Sequence, residues 1–243
     1  KNQRQLLDNQ ELVNKLKQLP LAKTEFFQVN TRDDLTLDAY IMRPANFDEH
    51  KKYPIIFYVY GGPAGQTVKD TWFGKRYLWE QFLTQQGFII ASVDNRGTPA
   101  AKGRAWRKSI YGAVGVLSSR DQADALTAIS KRWSYIDTDR VGIWGHSGGG
   151  SMVLNMLFRY PEQYQVGISS APVADQRLYD TIYQERYSGL LPDYAQGYQQ
   201  GSPITHAKNL QGKLLLIHGT ADDNVHYQGS ERLINELIKH NKV

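Results

Sequence analysis

The chain has 243 residues, no cysteine, and 29 Lys and Arg against 24 Asp and Glu, for a formal charge of +5. That length suits one large α/β domain or two small ones, and the lack of cysteine excludes a disulfide framework, a thiolate zinc site and a cysteine nucleophile. The charges form no basic stripe, which argues against a nucleic-acid partner. No apolar run approaches the roughly 18 residues of a membrane-spanning helix, so no membrane contact is expected of this segment.

Residues 6–19 repeat apolar side chains at helical spacing (Leu6, Leu12, Val13, Leu16, Leu19) and stop at Pro20. Residues 25–30 and 35–43 alternate like the strands of a hairpin turning at Arg32-Asp33-Asp34. From Pro54 the character changes: Ile55-Ile56-Phe57-Tyr58-Val59-Tyr60 is a continuous apolar run closed by Gly61-Gly62-Pro63, as in a strand buried on both faces. Residues 72–86 suit a helix, 87–93 a second buried strand and 119–133 an amphipathic helix. A short strand at 141–144 leads to a helix at 147–160. Strands at 166–170 and 214–218 and a helix at 229–240 close the pattern. Such alternation predicts a mostly parallel central sheet with helices on both faces, and the early hairpin adds an antiparallel N-terminal edge. Residues 179–200, rich in Tyr and Gln, lack clean periodicity and read as a lid or pocket segment.

Gly145-His146-Ser147-Gly148-Gly149 follows the strand at 141–144 and opens the next helix. Gly-x-Ser-x-Gly alone is weak, with on the order of a one-in-ten chance of arising in a chain this long. Its place between a buried strand and a helix makes it strong: there the serine occupies a strained turn and the glycines let strand and helix pack closely. This is the nucleophile elbow of the α/β-hydrolase fold, with Ser147 as nucleophile. The Gly148 N–H then points into an oxyanion hole at a helix N-terminus. The loop Tyr60-Gly61-Gly62-Pro63 is expected to add a second donor, the Tyr60 hydroxyl.

In this fold the triad acid follows a late strand. Asp222 sits just beyond the strand at 214–218, placed to orient an imidazole, while Asp223 points elsewhere. A rival reading gathers His218, Asp222, Asp223 and His226 into a metal site. It needs four side chains to converge from one loop, so no metal is expected, nor any cofactor. His218 reads as a strand-end residue bonded to backbone, and His146 faces the wrong way to be the base for Ser147.

With these motifs joined, the chain resembles the catalytic domain of the prolyl oligopeptidase family, dipeptidyl peptidase IV branch. The resemblance runs from about Tyr53 to Val243. Its strings are Val59-Tyr60-Gly61-Gly62-Pro63, Asp94-Asn95-Arg96-Gly97, Trp144-Gly145-His146-Ser147-Gly148-Gly149, Ala171-Pro172-Val173, Tyr179-Asp180-x-x-Tyr183-x-Glu185-Arg186-Tyr187, and the run from His218 to His226. The resemblance implies that Ser147 and Asp222 belong to the triad and that Tyr60 and Gly148 form the oxyanion hole. It further implies that Asn224 contacts a substrate carbonyl and that Val173, Tyr179 and Tyr183, with Tyr187 close by, line the pocket for the residue before the scissile bond. Flat aromatic walls suit a rigid proline ring.

Three departures stand out. Gly148 follows the nucleophile where the mammalian branch often has tyrosine, Gln176 replaces an aromatic, and Gly97-Thr98-Pro99-Ala100-Ala101 lacks further glycines that relatives keep. The first two imply a pocket less strict for proline.

The implied activity is removal of N-terminal X-Pro or X-Ala dipeptides from peptide substrates through an acyl-enzyme. The alternatives are a prolyl tripeptidyl or acylaminoacyl peptidase of the same family, a small-molecule esterase, and a non-catalytic hydrolase-derived binding domain. The chain is expected to be a piece of a longer protein. Residues 1–20 form a helical segment on the linker side of a missing β-propeller, and 21–243 form a hydrolase domain that is incomplete at its C-terminus. The family's catalytic histidine falls past Val243. A homodimer, and a periplasmic or secreted location, follow from the resemblance alone.

Overall fold

The computed structural model describes residues 5–242, so Lys1–Arg4 of the expected N-terminal segment and Val243 lie outside the described residues. A seven-stranded sheet runs in the order β1-β2-β4-β3-β5-β6-β7. Strands β1 (Thr24–Asn30) and β2 (Thr36–Met42) form the expected antiparallel hairpin, turning at Asp34 with a φ of 57°. β2 pairs antiparallel with β4 (Ile89–Asp94). From there β3 (Tyr53–Tyr58), β5 (Ile136–His146), β6 (Val166–Ser170) and β7 (Lys213–Ile217) are all parallel. This is the α/β-hydrolase fold with an antiparallel N-terminal edge.

Helix α1 (Gln10–Lys17) is shorter than its apolar spacing predicts and buries none of its residues. Helix α2 (Lys75–Gln85) also starts late, because Gly74 holds a φ of 57° that no helix continues. Strand β5 is longer than its apolar stretch, because its first half is a polar surface ladder with Asp139 and Arg140 exposed. The short α3 (Gly103–Lys108) precedes α4 (Leu117–Arg132) and α5 (Gly148–Arg159). The stretch read as a lid is two helices, α6 (Thr181–Ser188) and α7 (Leu191–Gly201), followed by a 3₁₀ turn at Pro203–Asn209; α8 (Gln228–Lys239) closes the described chain. Helices α6 and α7 escaped the periodicity reading because their inner sides meet polar groups and tyrosines rather than an apolar core. The signals they do carry are local: Asp180 caps α6 through the Tyr183 N–H, and Pro192 opens α7.

The main core lies between the sheet and α4, α5 and α8, with a smaller cluster around Tyr40, Met42 and Ile90 on the α2 side. Helix α5 is buried from Gly149 to Phe158, so its sequence is apolar almost all round rather than along one stripe. Truncating a side chain there, such as Leu157→Ala, costs about 2–5 kcal/mol.

One buried ionic network fixes the sheet to its helices. Asp121 on α4 is fully buried and accepts from the Arg96 backbone N–H at 2.9 Å and from its guanidinium at 2.6 Å. The same guanidinium reaches Asp33 of the hairpin turn at 2.7 Å, where Arg120 also bonds. Removing one member leaves an uncompensated buried charge, worth about 3–5 kcal/mol.

Candidate active site

Strand β5 ends at His146 and α5 begins at Gly148, leaving Ser147 alone at the turn with φ 58° and ψ −121°. A non-glycine residue held there stores about 1–3 kcal/mol of backbone strain. Two bonds hold it: the Ser147 N–H donates to Ser170 O at 2.8 Å, and Ser147 O accepts the Ser151 N–H at 3.0 Å. The flanking glycines are required by close approach. A Cβ on Gly145 would lie 2.5 Å from Val59 O, and one on Gly149 would strike the same carbonyl. His146 is exposed and turns its Nδ1 to Ser170 Oγ at 3.0 Å, away from the pocket.

The tyrosine at the end of the β3 run is clamped over the elbow. The Tyr60 ring packs where Gly65 has no side chain, and its hydroxyl lies 3.4 Å from the point a Cβ of Gly148 would occupy. Burial raises the Tyr60 phenol above its usual range, Tyr179 adds to the rise, and neighbouring Ser147 works against it. The group therefore remains a neutral donor at ordinary pH. Beside it, the Gly148 N–H stands at the first position of α5, where the helix offers it no partner.

What pins this loop was visible in the sequence only as the string Asp94-Asn95-Arg96-Gly97. The Asp94 carboxylate accepts the N–H groups of Thr67 at 2.8 Å and Val68 at 3.0 Å. Asn95 donates to Gly61 O at 3.1 Å, the residue after Tyr60, and its own carbonyl accepts from Gln122 at 2.9 Å. The string ties the Tyr60 loop to α4.

Asp222 lies on the loop after β7. One carboxylate oxygen accepts the N–H groups of Asn224 at 3.0 Å and Val225 at 2.9 Å; the other stands 3.3 Å from His218 Nε2. The backbone bonds from Val225 and then Asn224 hold its carboxyl below the usual range. The His218 side chain is buried with both nitrogens engaged, Nε2 to Val225 O and Nδ1 to Ser230 Oγ, each at 2.7 Å. A carbonyl only accepts, so Nε2 carries the proton. The loop reaches the pocket through Asn224, whose Oδ1 accepts from the Tyr179 hydroxyl at 3.2 Å.

Ser147, Gly148, Tyr60, Val173, Tyr179 and Tyr183 all line one open pocket. Tyr179 meets Tyr183 edge-on with ring centres 5.3 Å apart, and Tyr183 meets Tyr187 at 4.8 Å. Tyr187 stands behind this wall, in an adjoining hollow shared with Pro63 and Arg186. The same pocket is also lined by buried residues of both kinds, Val114 and Met152 with Ser151, Asn155 and Gln176, of which only Gln176 was singled out in the sequence.

A mostly parallel sheet with a serine at a positive-φ turn between β5 and α5 defines the chain as an α/β hydrolase. Residues 76–243 match the Prolyl oligopeptidase family, and the chain belongs to it. Dipeptidyl peptidase 4 of Trichophyton rubrum is 38% identical over 239 residues, 96% of this chain and 30% of that protein. Dipeptidyl peptidase 4 of Arthroderma otae matches at the same 38% identity and coverage. The crystal structure of Porphyromonas gingivalis dipeptidyl peptidase 4 superposes with a TM-score of 0.91 at 40% identity, covering 97% of this chain and 33% of that one. The chain thus spans about a third of the length of the relatives it matches.

Proposed function

We propose that this chain is the catalytic segment of a serine exopeptidase that releases N-terminal X-Pro or X-Ala dipeptides. The observation that carries the proposal is the strained Ser147 turn with a clamped phenol and a free helix N–H beside it. Ser147 Oγ attacks the carbonyl that follows the second residue and forms a tetrahedral oxyanion, which accepts from the Tyr60 hydroxyl and the Gly148 N–H. Collapse expels the amine and leaves an acyl-enzyme, which water then hydrolyses. Val173, Tyr179 and Tyr183 hold the proline ring, and Asn224 donates to a substrate carbonyl. Tyr187 supports the wall from behind.

Asp222 orients the imidazole that takes the Ser147 proton. No histidine of the described residues lines the pocket, so in this reading the base comes from a further segment of the parent protein, as does a β-propeller that holds the substrate's amino terminus. Residues 21–243 are the hydrolase domain and 1–20 its approach.

The test is hydrolysis of Gly-Pro chromogenic amide by the full-length protein. Ser147→Ala is expected to abolish turnover, and the 243-residue chain alone to show little, because triad members act as a unit. Cleavage of p-nitrophenyl esters but not Pro-amides would instead support an esterase. Full amidase activity surviving Ser147→Ala would overturn the proposal.

A further inference from the structure

The hollow behind the tyrosine wall carries charge of one sign. Arg104, Arg107 and Lys108 of α3 line it together with Arg186 of α6, and no Asp or Glu does. Among the described residues none of these four cations makes an ion pair or a side-chain hydrogen bond. Their contacts are with rings: Lys108 Nζ lies 4.8 Å from the ring centre of Tyr111, and Arg186 Cζ lies 5.4 Å from that of Tyr187. Lys102, just before α3, is by contrast committed to Asp38 and to Thr36 O, each at 2.9 Å. Helix electrostatics accounts for part of the pattern only. Arg107 and Lys108 stand in the last turn of α3, where a cation is favoured, but Arg104 stands in the first, where it is not. Like charges sharing one hollow repel one another, and an anion placed there converts that repulsion into attraction.

The backbone beneath these cations is fixed. Trp106 Nε1 donates to Thr98 O at 3.0 Å, which fastens α3 to the loop after β4. The Gly112 N–H donates to Tyr187 O at 3.2 Å, which fastens the segment after α3 to α6. Tyr111 meets Tyr194 of α7 edge-on with ring centres 5.5 Å apart. The loop approaches this closely because Gly97 has a φ of 88° and a Cβ there would strike Ile110.

We infer that this hollow recognises an acidic side chain of the peptide substrate, Asp or Glu, next to the residue that enters the Ser147 pocket. The inference rests on the exopeptidase reading and adds a selection by charge to it. The hollow and the pocket share the oxyanion loop, the pocket through Tyr60 and the hollow through Pro63. Tyr183 and Tyr187 stand between them with ring centres 4.8 Å apart. An extended peptide advances about 3.5 Å per residue, so a neighbour of the bound residue comes within reach of the long cationic side chains. Its carboxylate accepts from the guanidinium groups, whose planar fork matches two oxygens at once, while Lys108 adds a point charge.

The experiment measures kcat/KM of the full-length protein at low salt on two matched series. Glu-Pro, Gln-Pro and Lys-Pro chromogenic amides put the charge before the pocket residue. Gly-Pro-Glu-Gly, Gly-Pro-Gln-Gly and Gly-Pro-Lys-Gly, read by release of Gly-Pro, put it after the scissile bond. In one series the Glu substrate is expected to exceed its Gln partner by roughly tenfold, and the series that responds gives the side of the scissile bond that faces the hollow. Salt at about 1 M, where the screening length is about 3 Å, should erase the advantage. The triple variant Arg104→Gln, Arg107→Gln, Lys108→Gln keeps good helix formers at exposed positions and should bring the ratio close to one. Arg107→Glu with Lys108→Glu should reverse it in favour of the Lys substrate. Wild-type ratios near one in both series, or a ratio that the triple variant leaves unmoved, would overturn this inference alone. So would a triple variant that loses activity equally on every substrate together with a lowered unfolding midpoint, since the cations would then serve packing within the parent protein. A protein inactive on Gly-Pro amide overturns the exopeptidase reading and the inference with it.

Discussion

The Tyr60 phenol rests on the backbone of Gly148, its Cζ only 3.1 Å from where a Cβ would stand. Two residues 88 positions apart in the chain thereby converge on one point beside Ser147 Oγ. Tyr60→Phe keeps the ring and removes the donor, and is expected to lower kcat by about 100- to 1,000-fold with little change in KM. Gly148→Ala should push the ring aside and give a smaller loss of the same kind. Steady-state kinetics of the full-length protein on Gly-Pro amide check both; a change confined to KM would remove Tyr60 from the oxyanion role.

Asn95 positions that tyrosine without touching substrate. Replacing it by alanine frees Gly61 O and removes one of the two acceptors of the Gln122 amide, which keeps Val93 O. The expected stability loss is about 1–3 kcal/mol, read from urea unfolding. In addition kcat should fall more than KM rises, because a shifted Tyr60 weakens the transition state selectively. Asn95→Asp retains an acceptor for Gln122 but not the donor to Gly61; if it destabilises without lowering kcat, Asn95 is merely structural.

Alkaline pH should unfold the domain. Burial raises the phenols of Tyr40, Tyr60, Tyr164 and Tyr183 above the ordinary tyrosine value. The folded state then keeps protons that the unfolded chain releases. Stability is undiminished below about pH 10 and declines as pH climbs from there towards the raised values. Phenolate absorbance should rise in two stages, exposed tyrosines first and the buried set with unfolding. A urea midpoint that stays flat from about pH 8 to 11 would contradict this.

Much of the fold was legible because its signals are local. The run from Ile55 to Tyr60 declares a buried strand, and Gly145-x-Ser147-x-Gly149 declares a strand-to-helix turn whose glycines admit Val59 O. Helices α6 and α7 were not legible by period, since α6 carries Tyr183 into the pocket and α7 packs its glycines against the backbone of Gly112 and Val114; only Asp180 and Pro192 marked them. Helix α1 showed the converse, an apolar spacing that the described chain leaves uncovered.

By itself the sequence determined the class: the elbow, the acid after the late strand and the tyrosine string together name an α/β hydrolase and its family. These are short strings that can be recognised from adjacent residues alone. The tertiary structure decided which groups are left free to act. That Asn95 braces Tyr60 and that both nitrogens of His218 are engaged are outcomes of hydrogen-bond satisfaction across the fold. Such accounting needs every partner in place, and the partners of one buried group lie on elements the sequence holds far apart.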